Sequence, residues 1–164
     1  MQDGCTGTIQ GNRTAVAHVT NVYEASGSAC LLARAILKGR TLQRHQFQSE
    51  IRDSEGTVLR TATNEEDGTF VFGAIGYTAA DAGKTFEYLV VESDRMNAGY
   101  SYDDSTYTAL VGVYDNGDGT LRETVQYLDA RGEPCAMPSF DAGGHARGEI
   151  ELSAWKELVG RAYD

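Results

Sequence analysis

The side chains of this chain best suited to covalent chemistry are its three cysteines, Cys5, Cys30 and Cys135. An odd number leaves one thiol over in any disulfide scheme. His18, His45 and His145 are widely spaced and lack the close Cys or His companions of a zinc site. Asp115-Asn116-Gly117-Asp118-Gly119 has the composition of a calcium loop without the EF-hand spacing or its distal Glu, and reads as a hairpin turn. Glu65-Glu66-Asp67 and Asp103-Asp104 read as solvated loop charges, and Trp155 as a core filler. No nucleophile elbow, phosphate loop or pair of catalytic carboxylates stands out. The chain is expected to hold no metal and no cofactor, and not to be an enzyme.

The elements that must carry these residues are short alternating runs broken by turn signals, the pattern of an all-β protein. Phe47 to Arg52, Val58 to Thr63, Thr69 to Phe72, Thr85 to Glu92, Tyr107 to Tyr114 and Leu121 to Tyr127 all read as strands. Asp-Gly and Asn-Gly between them supply the positive φ of tight hairpins. Thr78 to Gly83 reads as a helical turn or two, while Leu32 to Leu37 and Ser153 to Leu158 fit helix and strand equally well. Strands at this spacing suit a β-sandwich.

Composition narrows the partners. With 24 acidic against 14 basic residues and no basic cluster, the net charge of −10 argues against nucleic acid. No apolar run approaches the roughly 20 residues that span a bilayer. Met1-Gln2-Asp3-Gly4 is polar and bears no export signal, so the chain reads as a piece of a longer protein.

One segment occurs twice. At a constant offset of 121, Ala25/Ala146, Gly27/Gly148, Leu31/Leu152, Ala33/Ala154, Leu37/Leu158, Gly39/Gly160 and Arg40/Arg161 are identical. A period of that size fits a complete domain rather than a solenoid repeat. The expected organisation is a tandem array. Residues 1–27 would hold the closing strand of a preceding repeat, 28–144 the domain itself, and 145–164 the first strand of the next.

From Gly39 to Tyr127 the chain resembles the pilin isopeptide-linkage domains of Gram-positive bacteria. The resemblance rests on Leu37-x-Gly39-Arg40-Thr41-Leu42, Asp53-x-x-Gly56-x-Val58-Leu59, and Asn64-x-x-Asp67-Gly68-x-Phe70-x-Phe72. It continues through Tyr77-Thr78-Ala79-Ala80-Asp81-Ala82-Gly83-Lys84-Thr85, Tyr102-Asp103-x-x-x-Tyr107 and Asp115 to Leu121. It implies an Ig-like sandwich of the Cna B-type class, all-β with at most short helical turns. It also implies a self-made amide between a Lys on the first strand and an Asn on the last, assisted by a buried Glu. Burial favours the neutral, nucleophilic amine, and a protonated carboxyl polarises the Asn carboxamide and shuttles a proton as ammonia leaves. Such a bond forms once, as maturation rather than turnover.

The chain departs from that pattern where the bond is made. The family Lys falls four residues before the Gly of G-R-x-L, which is Ala35 in the first copy and Lys156 in the second. The closing strand's Asn matches Asn21 in Val19-Thr20-Asn21-Val22-Tyr23, whereas the offset of 121 puts Ala142 at that point of the central unit. Glu92 matches the family Glu. Asn21 and Lys156 would either be unreactive remnants of the preceding and following repeats or pair with each other, within one chain or between two.

Cys30 and Cys135 lie five and seven residues before Ala35 and Ala142. Both offsets are odd, so on alternating strands the two thiols share a face, and a Cys30–Cys135 disulfide would staple the first and last strands. The alternatives are two unpaired buried thiols, or Cys5 with either partner. The expected function is a structural module of a cell-wall-anchored extracellular pilus or adhesin stalk, partnered by neighbouring repeats or other pilus subunits. The alternatives are an adhesin module binding a host ligand through loops such as Glu92 to Asp104, and a subunit that donates a strand to its neighbour.

Overall fold

A computed structural model describes residues 19–93 and 99–144. Alternation sets its long strands. In β2 (Leu32–Lys38), Ala33 and Ala35 turn inward while their neighbours stay exposed. β3 (Gln48–Arg52), β7 (Thr85–Glu92) and β9 (Thr106–Asp115) bury Ser49 and Ile51, Tyr88, Val90 and Glu92, and Ala109, Val111 and Val113 in the same way. A one-residue slip in any of them would turn this inward-facing, mostly apolar set out to water.

The remaining strands are β1 (Ser26–Ala29), β4 (Val58–Thr63), β5 (Thr69–Val71), β6 (Ile75–Thr78), β8 (Tyr100–Ser101), β10 (Leu121–Leu128), β11 (Pro134–Cys135) and β12 (Ser139–Gly144). They form a six-stranded sheet in the order β11-β10-β9-β7-β3-β4, a four-stranded sheet β5-β2-β12-β8, and a ribbon β1-β6. The result is the all-β sandwich expected. Leu32 to Leu37 is strand, not helix. The helical turn expected at Thr78 to Gly83 is a single 3-10 turn, Ala79–Asp81, whose Asp81 carboxylate accepts the Thr78 N–H at 2.8 Å.

β2 and β12 pair in parallel, Arg34 opposite Ser139 through Lys38 opposite Gly143. β12 reads Ser-Phe-Asp-Ala-Gly-Gly, a weak strand former. Its two glycines cost about 0.5–1 kcal/mol each. Burying Phe140 completely contributes about 2–3 kcal/mol, enough to hold the strand against them.

Asn64 is a fully buried polar strut. Its Oδ1 accepts the Phe47 N–H at 2.7 Å, and its Nδ2 donates to the Gln43 and Glu65 carbonyls at 2.8 and 2.9 Å. The amide thereby ties the loop after β2 to the end of β4. His45 in that loop takes the left-handed conformation (φ 60°).

Ahead of β1, residues 19–25 form no strand and run beside the β9–β10 turn. The Tyr23 hydroxyl donates to Asp115 Oδ1 at 2.8 Å and accepts the Gly119 N–H at 3.2 Å. Val19 and Val22 are 80% and 76% exposed, and Asn21 is exposed beside them. Among the described residues no helix is long and apolar enough to cross a membrane.

Candidate cross-link site

The parallel β2–β12 pairing fixes the geometry of the candidate site. Ala35 lies opposite Phe140 and Ala142 opposite Leu37, so the two alanines share the inward face of adjacent strands, two positions apart. Strand spacing and rise put such positions about 8 Å apart, within reach of a Lys and an Asn side chain. Both alanines are almost completely buried, 2% and 1% exposed. Neither offers an amine or a carboxamide. The turn before β5 closes this site tightly: the Ala35 N–H donates to the Gly68 carbonyl at 2.8 Å. A Cβ on Gly68, whose φ is +89°, would come within 2.3 Å of the Ala35 carbonyl oxygen.

From the opposite sheet, Glu92 ends β7 with its side chain inward and 5% exposed, directly across from Ser49. Its Oε2 accepts the Asp103 N–H at 2.9 Å, and Asp103 Oδ2 in turn accepts the Asp141 N–H of β12 at 3.0 Å. Glu92, Asp103 and Asp141 thus tie the two sheets together beside the alanine pair. Burial raises the Asp103 carboxyl, but hydrogen bonds from the Asp141 backbone and from Ser105 outweigh it and hold the group below its ordinary range. The Tyr107 hydroxyl adds a further tie, donating to the Ser139 carbonyl at 2.7 Å. Residue patterning does not disclose this relay, because it passes through backbone N–H groups distant in sequence.

Asn21 is not brought to Glu92. The segment carrying it is anchored through Tyr23 at Asp115, the far end of β9, whereas Val91 beside Glu92 pairs with Thr106 at its start. Ten residues of strand separate those ends by about 30 Å. Lys156, Cys5, His18, His145 and Trp155 lie outside the described residues.

Cys30 and Cys135 are free thiols, exposed and half-buried. The two residues do not sit on the paired first and last strands themselves. Cys30 precedes β2, and Cys135 belongs to β11, which leaves the line of β12 to pair with the end of β10. A cleft beside Glu92, lined by Arg52, Ser93, Asp103, Asp104 and Thr106, occupies about 330 Å³.

No curated protein matches the chain in sequence. Among solved structures it is similar to a mutant of the major pilin from Streptococcus pyogenes, with 14% identity and a TM-score of 0.46. That match covers 76% of this chain, which spans about half (51%) of the pilin chain. The family described as FctA, the Spy0128-like isopeptide containing domain, matches residues 32–140, from the first residue of β2 into β12. The match takes in β2 with Ala35, Glu92 and the first two residues of β12, ending two short of Ala142, and the chain belongs to this family of Gram-positive pilin isopeptide domains.

Proposed function

We propose that this chain is a structural module of a surface pilus or adhesin stalk, a spacer whose own amide staple has lapsed while its neighbours keep theirs. The observation that carries this reading is the buried pair Ala35 and Ala142 on adjacent parallel β2 and β12, with the buried Glu92 of the opposite sheet linked through Asp103 to the Asp141 N–H beside Ala142. Lys and Asn at these positions would join first strand to last and bypass the hydrogen-bond ladder, so pulling could not shear it.

Asn21 then closes the preceding repeat and Lys156 opens the following one, each reacting with a partner of its own repeat. The distance between the Asn21 segment and Glu92 supports this over an Asn21–Lys156 bond served by Glu92. Glu92 itself acts here as a strut, through Asp103, rather than as an assisting acid. The module stands outside the cell on an anchored polymer, its partners are other repeats or pilus subunits, and its staple is a disulfide.

Intact mass tests the reading. After reduction, this chain is expected at its unmodified mass, whereas a longer piece containing a complete neighbouring repeat loses about 17 Da as ammonia leaves. A reductant-resistant loss in this chain, with Asn21 and Lys156 joined in one peptide, would overturn it.

A further inference from the structure

We propose that Cys30 and Cys135 are a redox-closed cross-link that fastens the start of β2 to β11, at the level where the parallel β2–β12 ladder runs out. The argument begins with register. Through β2 and β12, paired residues differ by a constant 105 in number, from Arg34/Ser139 to Lys38/Gly143. Continued backward, that register sets Cys135 level with Cys30. The ladder is intact at its first pair, Arg34/Ser139, where the Arg34 N–H donates to the Pro138 carbonyl at 2.9 Å. One step further back the partner strand has turned away, and the Leu32 N–H donates instead to the Tyr127 hydroxyl at 2.9 Å.

Tyr127 identifies where the Cys135 thiol lies. The two residues are direct cross-strand partners of β10 and β11, so their side chains share a face. The phenol that reaches the start of β2 therefore lies beside the Cys135 thiol, close enough for charge on Cys135 to bear on Tyr127. Cys30 is two residues before the Leu32 N–H that the phenol holds. β11 is a two-residue edge strand, so little ladder has to give for the thiols to reach disulfide distance.

The chemistry needs an oxidant, and a disulfide such as oxidised glutathione suffices. The exposed Cys30 thiolate attacks it, forming a mixed disulfide and expelling one thiolate. Burial, with Asp129 nearby, holds the Cys135 thiol above its ordinary range, so Cys135 acts second. Its thiolate attacks the mixed disulfide, the second thiolate leaves, and the two cysteine protons end on the two released thiols. The closed loop, residues 30–135, takes in most of the body, including β2, and ends just ahead of β12. This deepens the reading of the chain as a stapled stalk module, yet its readout is separate: about 2 Da lost reversibly, against about 17 Da lost irreversibly for an amide.

The test is oxidation of the full chain in a glutathione buffer, followed by alkylation under denaturing conditions, intact mass and non-reducing peptide mapping. The expected result is one remaining alkylatable thiol, on Cys5, and one linked peptide pair joining Cys30 to Cys135. The melting temperature is expected to fall by about 5–15 °C on adding reductant. Cys5→Ser keeps the linkage. Cys30→Ser, at an exposed position, folds and loses the reductant-sensitive shift. Three alkylatable thiols after oxidation, a link through Cys5, or a reductant-sensitive shift that survives Cys30→Ser would each overturn the proposal.

Discussion

At the scale of single residues, three positions carry much of the hold on the body, Asn64, Glu92 and Gly68. Asn64 has both ends of its carboxamide satisfied in full burial, so Asn64→Ala leaves a backbone N–H and two carbonyls without their partner. The expected loss is about 3 kcal/mol, read as a lower urea midpoint with an unchanged slope. Glu92→Ala removes the acceptor of the Asp103 N–H and is expected to cost about 2 kcal/mol of stability. An unchanged unfolding midpoint for that variant would refute the strut role. Gly68→Ala meets both a positive φ and the Ala35 carbonyl, and should cost at least about 2 kcal/mol.

Among the elements, most of the longer strands were legible in the chain, although β2 read equally as helix, and of the short ones only β5 was. The alternation in Val58–Thr63 and Thr85–Glu92 marks both ends of β4 and β7, while β9 runs one residue longer than expected at each end and β10 one residue longer at its second end. β1, β6, β8 and β11 have two to four residues, too few to show a period of two. β12 is poor in strand formers, and only the internal repeat brings it to notice. The same contrast runs through the candidate site. Ala35, Ala142 and Glu92 are reached by motif spacing, whereas Asn64 and the Asp103 relay depend on partners 11 to 38 residues away. The placement of Cys135 turns on β11 leaving the β12 line, which no local pattern announces.

For the whole molecule, the carboxylates set the acid limit. Asp67, held by Thr69, Asp118, held by Thr120, Asp129, held by the Glu133 and Arg131 backbone, and Asp103 all titrate below their ordinary range. Folded values below the unfolded value of about 3.9 stabilise the fold above that pH, and this contribution is lost as pH falls through the folded values. Thermal melts should therefore change little from pH 7 to about 5 and drop steeply below about 4. On the proposed reading, a repeat without its amide would be the extensible link of the array. In reductant, pulling this chain should release about 400 Å of contour from its roughly 120 described residues. After oxidation most of that length should be locked behind the Cys30–Cys135 bridge.

The most direct test of the lapsed staple is to restore it. The double variant Ala35→Lys, Ala142→Asn should lose about 17 Da on folding, a loss that resists reductant and joins the β2 and β12 peptides. Adding Glu92→Ala to that pair should abolish the loss. A folded double variant that keeps its full mass would contradict the account, because the two buried positions and Glu92 would then not form a cross-link site.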